Sequence, residues 1–305
     1  MQVIENKNTR NIYVSLNYQC NNHCIMCGVP YKKHDLYNEN IDFYINELLS
    51  APFEIRENDI ITISGGEPFL FNRLFEFIEY VTEKFHCRIV IFTNGRALKN
   101  NTIIEQIKKY SIEKFVIPYF SYKEEIYDYI AGAKGAFQDL EKALYNLEKN
   151  DLSYELKFLP MKQNHAQMLD SYIYCKKNYP RAQFVICGVQ LFGEAVDNVS
   201  WIGMKYSEIK DDIEKTLDYA LECYEEVIPV YRYPMCILDS KYNNHGVLSL
   251  FLEYIIGPDY SDVDHKKNPP KIIKLPSECE ECRSYCEWYP TKYGQIYGFD
   301  ELKKI

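Results

Sequence analysis

No stretch of this chain is apolar for long enough to cross a bilayer: the longest run, around Gly246 to Leu252, is far short of the ~20 residues that a spanning helix needs. The amino terminus, Met1-Gln-Val-Ile-Glu-Asn-Lys7, lacks an apolar h-region, so no secretory signal is read there and a cytoplasmic protein with no membrane partner is expected. Positive charge is also scarce. The 35 Lys and Arg stand against 44 Asp and Glu, a net charge of −9 and the wrong long-range field for a phosphate polyanion, so no nucleic-acid partner is expected. Internal repeats and low-complexity segments are missing, and with 47% apolar and 26% charged residues the composition is globular rather than disordered. Cysteine, by contrast, is abundant, at 11 in 305 residues. A chain of this length buries enough surface to fold without staples. Without an export signal its thiols stay reduced, so clustered cysteines point to metal rather than to disulfides.

From residue 11 to about 192, strand and helix signals alternate. Ile12–Leu16, Ile60–Ser64, Arg88–Thr93, Lys114–Tyr119, Tyr154–Leu159 and Gln183–Phe192 read as short apolar strands. Between them lie helical stripes: Ile41, Tyr44, Ile45, Leu48 and Leu49; then Leu74, Phe77, Ile78 and Val81, with Asn72 as N-cap; then 101–110; then Phe137, Leu140, Leu144 and Leu147; then 165–178. Six βα units in succession predict an α/β fold with a parallel sheet. Periodicity does not separate a partial (βα)6 version of the TIM-type barrel from a doubly wound open sheet. In the barrel, chemistry sits at the C-terminal ends of the strands. After Phe192 the pattern changes. Ser207 is placed to cap a helix bearing Ile209, Ile213, Leu217 and Leu221, and residues 227–305 are irregular and rich in Pro, Cys and Tyr, with an exposed loop expected over 257–274. The expected division is a barrel core over 1–205, then a linking helix and a small cysteine-rich extension over 206–305.

Directly after the first strand comes Cys20-Asn-Asn-His-Cys24-Ile-Met-Cys27. Thiolates are soft ligands that suit zinc or iron–sulfur clusters. A structural zinc needs four closed ligands, and no fourth cysteine follows locally; His23 lies between two cysteines and is expected to point away. A four-iron cubane held by three thiolates keeps one iron open to an outside chelating ligand. The cluster is the favoured reading, with zinc and no metal as the alternatives. The second constellation is Gly65-Gly66-Glu67-Pro68, at the end of the second strand. Its glycines permit close backbone approach to a ligand, and a carboxylate beside exposed amides can bind an ammonium group. Taken alone, the segment reads more simply as a strand-to-helix turn closed by Pro68.

Taken together, and each after a strand, these two motifs resemble the radical S-adenosylmethionine (SAM) superfamily over about residues 11 to 192, as do Thr93-Asn94-Gly95 after the third strand and Gly193-Glu194-Ala195 after the sixth. The resemblance implies that Cys20, Cys24 and Cys27 ligate a 4Fe–4S cluster whose open iron takes the amino and carboxylate groups of SAM. It implies that Gly65, Gly66 and Glu67, closed by Pro68, hold the SAM amino group, with Asn94 in the same site. Met26 stands where the family contacts adenine, commonly through an aromatic side chain, and its polarizable thioether can pack on the ring. Pro118 stands where the family places a ribose-binding Ser, so Ser121 or Asn164 is the candidate for that contact. Lys157 pairs with the SAM carboxylate if its side chain points into the barrel, and is otherwise a solvated strand end. The implied activity is reductive cleavage of SAM to a 5′-deoxyadenosyl radical that abstracts a substrate hydrogen, fed by an electron donor such as flavodoxin or ferredoxin.

In the C-terminal region, Cys236 and the group Cys279-Glu-Glu-Cys282-Arg-Ser-Tyr-Cys286 are enough to close a four-thiolate zinc site. The region also resembles the SPASM/twitch extension of radical SAM maturases, which implies one auxiliary 4Fe–4S cluster on these four cysteines. Of the remaining cysteines, Cys87, Cys175, Cys187 and Cys223, each reads first as a small buried hydrophobe; Cys187 and Cys223 are also candidate hydrogen donors to a substrate radical. His86, His165 and His245 read as surface residues. The resemblance leads to a maturase that oxidises, cross-links or epimerises a ribosomally made peptide, recognised directly or through a separate recognition protein, because the chain starts almost at its first strand. The alternatives are an enzyme acting on a small molecule, such as an amino sugar or a natural-product intermediate, and a non-catalytic iron–sulfur sensor. A sensor has no need to keep both motifs.

Overall fold

The computed structural model describes residues 9–246, 252–257, 279 and 290–303. In chain order its elements are β1 (Asn11–Asn17), α1 (Ile41–Leu49), β2 (Ile60–Gly65), α2 (Leu74–Phe85), β3 (Arg88–Phe92), α3 (Asn101–Ile107), β4 (Ile112–Tyr119), α4 (Glu124–Ala131), α5 (Ala136–Lys149), β5 (Tyr154–Phe158), α6 (Met168–Asn178), β6 (Gln183–Cys187), the short α7 (Glu194–Asp197) and α8 (Val199–Ile202), α9 (Tyr206–Tyr224), β7 (Val230–Tyr231), β8 (Leu252–Ile256) and α10 (Pro290–Tyr297). Every strand pairing is parallel, in the order β7-β6-β5-β4-β3-β2-β1-β8. The six expected strands are all present, in an α/β architecture of the partial-barrel kind. Two strands from beyond residue 206 extend the sheet at its two edges. The reading by periodicity passed over both, since β7 is two residues long and β8 a single five-residue run far in sequence from β1, with which it pairs.

Side chains alternate between the two faces of each strand. One row, Ile12, Val14 and Leu16 on β1, Ile61 and Ile63 on β2, Ile89 and Ile91 on β3 and their counterparts through Phe184 and Ile186 on β6, packs into the main core beneath the helices. The helices cover it with their apolar stripes, for example Leu74, Phe77, Ile78 and Val81 of α2. The other row faces the lumen. There Ile60, Val90 and Val116 form a small apolar cluster with Phe92, and Asn11, Tyr13, Thr62, Lys114, Glu155 and Lys157 line about 790 Å³ of empty space, part of it open to solvent.

Some sequence expectations are corrected at this level. The sixth strand ends at Cys187, not Phe192; past it only the Gly188 N–H continues the pairing, donating to the Tyr231 carbonyl at 2.9 Å, so close to β7 that an added Cβ would lie 2.2 Å from the Arg232 carbonyl oxygen. The N-cap of α2 is Arg73 rather than Asn72. Ser207 lies inside α9; the helix start is held instead by the Glu208 carboxylate, which accepts from the Lys205 N–H at 2.6 Å. α4 was not read from the sequence, although it buries Tyr127, Ile130 and Ala131. His245 is buried, with Nδ1 2.9 Å from the Ile228 carbonyl oxygen. The expected loop over 257–274 lies outside the described residues beyond Gly257.

At the N-terminal end of the sheet Arg10 and Asp59 form a buried ion pair. The Asp59 carboxylate accepts from Arg10 Nη2 at 2.6 Å, from Arg10 Nε at 3.2 Å and from the N–H groups of Arg10 and Arg56. Burial pushes the Asp59 carboxyl up, but these donors and the guanidinium charge together outweigh it and hold it below the ordinary aspartate value. A carboxylate depressed in the folded state stabilises above its unfolded pKa and loses that contribution as the pH falls through the folded value. Asp59→Ala takes the carboxylate from a buried guanidinium, which keeps the Glu54 carbonyl and the Phe53 ring, and is expected to cost about 3 kcal/mol in urea denaturation. The difference between the two proteins should be full at pH 7 and shrink only below the normal aspartate range.

Candidate active site

The cysteine loop leaves β1 at the C-terminal end of the sheet and is fixed from both sides by backbone. On the β2 side, the Gly66 N–H donates to the Asn17 carbonyl at 2.8 Å and the Glu67 N–H to Gln19 at 2.7 Å, so the Gly-Gly-Glu segment continues the sheet pairing onto the loop. Only glycine fits here: a Cβ on Gly65, where φ is +116°, would lie 2.1 Å from the Asn17 oxygen, and one on Gly66 2.1 Å from the Gln19 oxygen. On the far side, the end of α4 accepts the N–H groups of His23 and Ile25 at its Ala131 and Ile130 carbonyls, at 2.9 and 3.0 Å. The loop after β6 closes over the third cysteine. Glu194 N–H donates to the Cys27 carbonyl at 2.9 Å, its carboxylate accepts from the Tyr31 N–H at 2.7 Å, and Asn198 Nδ2 donates to the Ile25 carbonyl at 2.8 Å.

Glu67 sits at the centre of this arrangement, only 1% exposed. Its carboxylate accepts from Thr93 Oγ1 at 2.7 Å, from the Asn94 N–H at 2.7 Å and from the Phe69 N–H at 3.2 Å. Burial pushes its carboxyl up, and the three donors oppose that shift. Pro68 is buried in the tight turn that follows. Asn94 extends the network: its Nδ2 donates to Asn21 Oδ1 at 2.6 Å and approaches Cys20 Sγ at 3.8 Å. Arg96, which the sequence reading missed, completes it. Its guanidinium reaches the Asn21 carbonyl at 2.7 Å and Asn22 Oδ1 at 3.1 Å, and is anchored on Asp139 at 3.0 Å. The position after Thr93-Asn94-Gly95 was the available signal, but no spacing reveals that an arginine there reaches back across two strands.

The three thiols converge. Burial pushes the Cys20 thiol up to about 11, with the charges of Glu67 and Cys27 adding to it; burial, then Cys27 and Cys20, raises Cys24; burial, and Glu194, raises Cys27. Donors already face the sulfurs: the Asn22 N–H lies 3.4 Å from Cys20 Sγ. The buried Asn22 side-chain amide faces Cys24, where it favours the thiolate. Three soft thiols, each shifted by burial, with the amides of Asn22 and Asn94 directed at their sulfurs, fit a thiolate-bound iron–sulfur cluster, whose sulfurs accept such N–H···S bonds. Among the described residues, no three His, Cys, Asp or Glu side chains form a site for a single metal ion. His23 is exposed, and its ring packs against the half-buried Tyr31 and His34.

Other candidates divide. Met26 is half-buried in the loop and packs on the core. Lys157 does point into the lumen, where its ammonium lies 4.9 Å from the centre of the Phe92 ring. Cys187 ends β6 and is buried, on the row that alternates with the core residues Phe184 and Ile186. Ser121 and Asn164 are corrections as ribose contacts. Ser121 Oγ donates to Gln167 at 2.7 Å and accepts from the Lys123 N–H; Asn164 donates to the carbonyls of Phe120 and Leu159 and accepts from the Met161 N–H, and both residues are buried. Their polar groups hold the ends of β4 and β5 in place. Cys223 is a correction too. It is exposed near the end of α9, a crossover helix that returns the chain to the start of β7, so it lies at the end of the sheet opposite the cysteine loop. Cys87 and Cys175 are buried, as small hydrophobes. Cys236 is buried and Cys279 half-buried, whereas Cys282 and Cys286 lie outside the described residues.

Comparison with known proteins agrees with this geometry. Residues 14–164 match the radical SAM superfamily. A stretch of 164 residues is 25% identical to an AdoMet-dependent heme synthase of Methanosarcina barkeri, covering 52% of this chain and 44% of that protein. Another of 163 residues is 26% identical to a probable GTP 3′,8-cyclase of Methanocaldococcus jannaschii, covering 52% of this chain and 50% of that one. Among solved structures, SuiB of Streptococcus suis superposes with a TM-score of 0.57 at 15% identity, over 71% of this chain and 47% of its own. The matched regions thus span half or less of these proteins. Residues 14–164 carry a radical SAM superfamily domain.

Gly66→Ala forces a Cβ onto the Gln19 and Tyr18 carbonyls, backbone that cannot yield cheaply. It is expected to retain much less iron than wild type after anaerobic reconstitution, while circular dichroism shows the sheet intact.

Proposed function

We propose that this chain is a radical SAM enzyme that oxidises, cross-links or epimerises a peptide. The observation that carries the reading is the convergence of Cys20, Cys24 and Cys27 at the C-terminal end of the sheet, held there by the Gly66 and Glu67 N–H groups. When bound, a 4Fe–4S cluster with SAM supplies a 5′-deoxyadenosyl radical able to abstract hydrogen from an unactivated carbon. The chain's own residues provide placement. Gly65 and Gly66 bring backbone close to the cysteine loop, Glu67 and Asn94 lock the ends of β2 and β3 together, and Met26 offers a thioether to the adenine. Holding cofactor and substrate carbon close together is the task this frame serves. Cys187, at the top of β6 and facing the lumen, is placed to return a hydrogen atom in an epimerisation.

The peptide is supported by the fold likeness to SuiB, solved with its precursor peptide SuiA at a TM-score of 0.54, and to anSMEcpe, solved with AdoMet and the Cp18Cys peptide at 0.53. A small-molecule substrate is the second reading, favoured by the sequence relatives named as a heme synthase and a probable GTP cyclase. The reading includes a barrel core over 1–205, an extension over 206–305 with one auxiliary 4Fe–4S cluster on Cys236, Cys279, Cys282 and Cys286, a flavodoxin- or ferredoxin-type electron donor, and a separate recognition protein where the peptide is not bound directly.

Anaerobically reconstituted protein is expected to form 5′-deoxyadenosine from SAM with dithionite, measured by chromatography, and Cys20→Ala, Cys24→Ala and Cys27→Ala each to abolish it. Iron analysis is expected to give about eight iron per chain, two cubanes; about four with bound zinc would reject the auxiliary cluster.

A further inference from the structure

Asn22 is 1% exposed, so bulk water does not decide which way round its side-chain amide stands. Its Oδ1 accepts from Arg96 Nη1 at 3.1 Å, and the same nitrogen donates to the Asn21 carbonyl at 2.7 Å. A guanidinium donates and never accepts, so it can hold only the oxygen of that amide. The Nδ2 end is thereby turned toward Cys24, where it favours the thiolate. Arg96 is itself fixed: its Nε donates to Asp139 Oδ2 at 3.0 Å, and the other oxygen of Asp139 takes Lys99 Nζ at 2.6 Å. The side chains of Arg96 and Asp139 are 19% and 13% exposed, sheltered from much of the screening that weakens surface pairs. The Arg96 backbone acts on a second amide. Its N–H donates to Asn94 Oδ1 at 3.0 Å, while Asn94 Nδ2 lies 3.8 Å from Cys20 Sγ. One residue after β3 thus sets the sense of two amides beside two of the three sulfurs. N–H groups directed at ligand sulfurs stabilise the more negative, reduced state of a cluster.

We propose that Arg96 is a positioning residue: by fixing the Asn22 amide with its nitrogen toward the sulfurs, it raises the reduction potential of the cluster bound by Cys20, Cys24 and Cys27 and so eases its one-electron reduction. The inference deepens the radical SAM reading and rests on it.

The test is a redox titration of anaerobically reconstituted protein followed by EPR, read at the reduced-cluster signal that SAM perturbs, so that a second cluster does not enter. Arg96→Met is expected to lower the equilibrium constant for one-electron reduction about tenfold, a midpoint about 59 mV more negative, with iron content and circular dichroism as in wild type. Asn22→Leu, which keeps the shape and removes the N–H, is expected to shift the midpoint in the same direction. The double variant is expected to go no lower than Asn22→Leu alone, because Arg96 acts through that amide. Asp139→Ala takes away the anchor. Loss of a negative charge by itself would raise the potential, whereas a loosened Arg96 lowers it, and a lower midpoint is expected. A wild-type midpoint in Arg96→Met, additive shifts in the double variant, or a raised midpoint in Asp139→Ala would overturn the proposal. So would loss of iron in all the variants, since a merely structural residue costs occupancy rather than potential. If Arg96→Met alone holds no cluster, Asp139→Ala decides. A wild-type protein that binds no cluster, or shows no SAM-sensitive signal, sinks the reading on which the inference rests; a normal wild-type cluster with unmoved variants sinks only the inference.

Discussion

The buried carboxylate of Glu67 is the joint on which the upper end of this molecule depends. A carboxylate with 1% exposure is tolerable only when its lone pairs are engaged. Thr93, Asn94 and Phe69 supply the donors, and in doing so they tie the end of β2 to the end of β3. The Glu67 N–H meanwhile holds the Gln19 carbonyl. One residue therefore links three strand ends and sets where the first cysteine stands. From it the network runs through Asn94 to Asn21, and through Arg96 to Asn21, Asn22 and the Asp139 anchor.

The cysteine loop is irregular, so its shape has to come from outside itself. Its carbonyls and N–H groups are claimed by β2, by the end of α4 and by the loop after β6. The approach is close enough that several neighbours are glycine: a Cβ on Gly132 would lie 2.2 Å from the His23 oxygen, and one on Gly193 2.4 Å from the Gly28 oxygen. Such a frame keeps three thiols together although burial and mutual repulsion of their thiolates make ionisation unfavourable. A bound metal cluster reverses that penalty, because thiolate ligation neutralises the charge that the protein interior resists. The lumen follows the same logic at lower intensity, with Lys114 closely matched by Glu155 and Lys157 only loosely so.

Much of the scaffold was legible from residue order. β1 through β6 are short apolar runs, as expected of parallel strands whose two faces are covered, and α2 and α5 show a clean apolar stripe. Where reading failed, the cause was tertiary. β7 has too few residues to register a period. Ser121 and Asn164 carry the right functional groups at plausible positions, yet both serve backbone neighbours that periodicity does not disclose. Cys223 lies near the end of α9, exposed and away from the cysteine loop. Arg96 looks like an ordinary loop arginine until the fold brings it against Asn21.

By itself, the order of amino acids determined the chemistry available here: three thiols spaced Cys-x3-Cys-x2-Cys, a Gly-Gly-Glu-Pro turn that tolerates close backbone, and alternating apolar segments that bury themselves as a helix-covered parallel sheet. Those are local properties, set by side-chain type and short spacing. Only the tertiary structure decided which polar groups were already taken, which glycines touch which carbonyls, and which lysine faces the lumen with its charge loosely met. Hydrogen bonds and ion pairs between residues dozens of positions apart depend on how strands are placed side by side, and that placement is a property of the whole packed sheet.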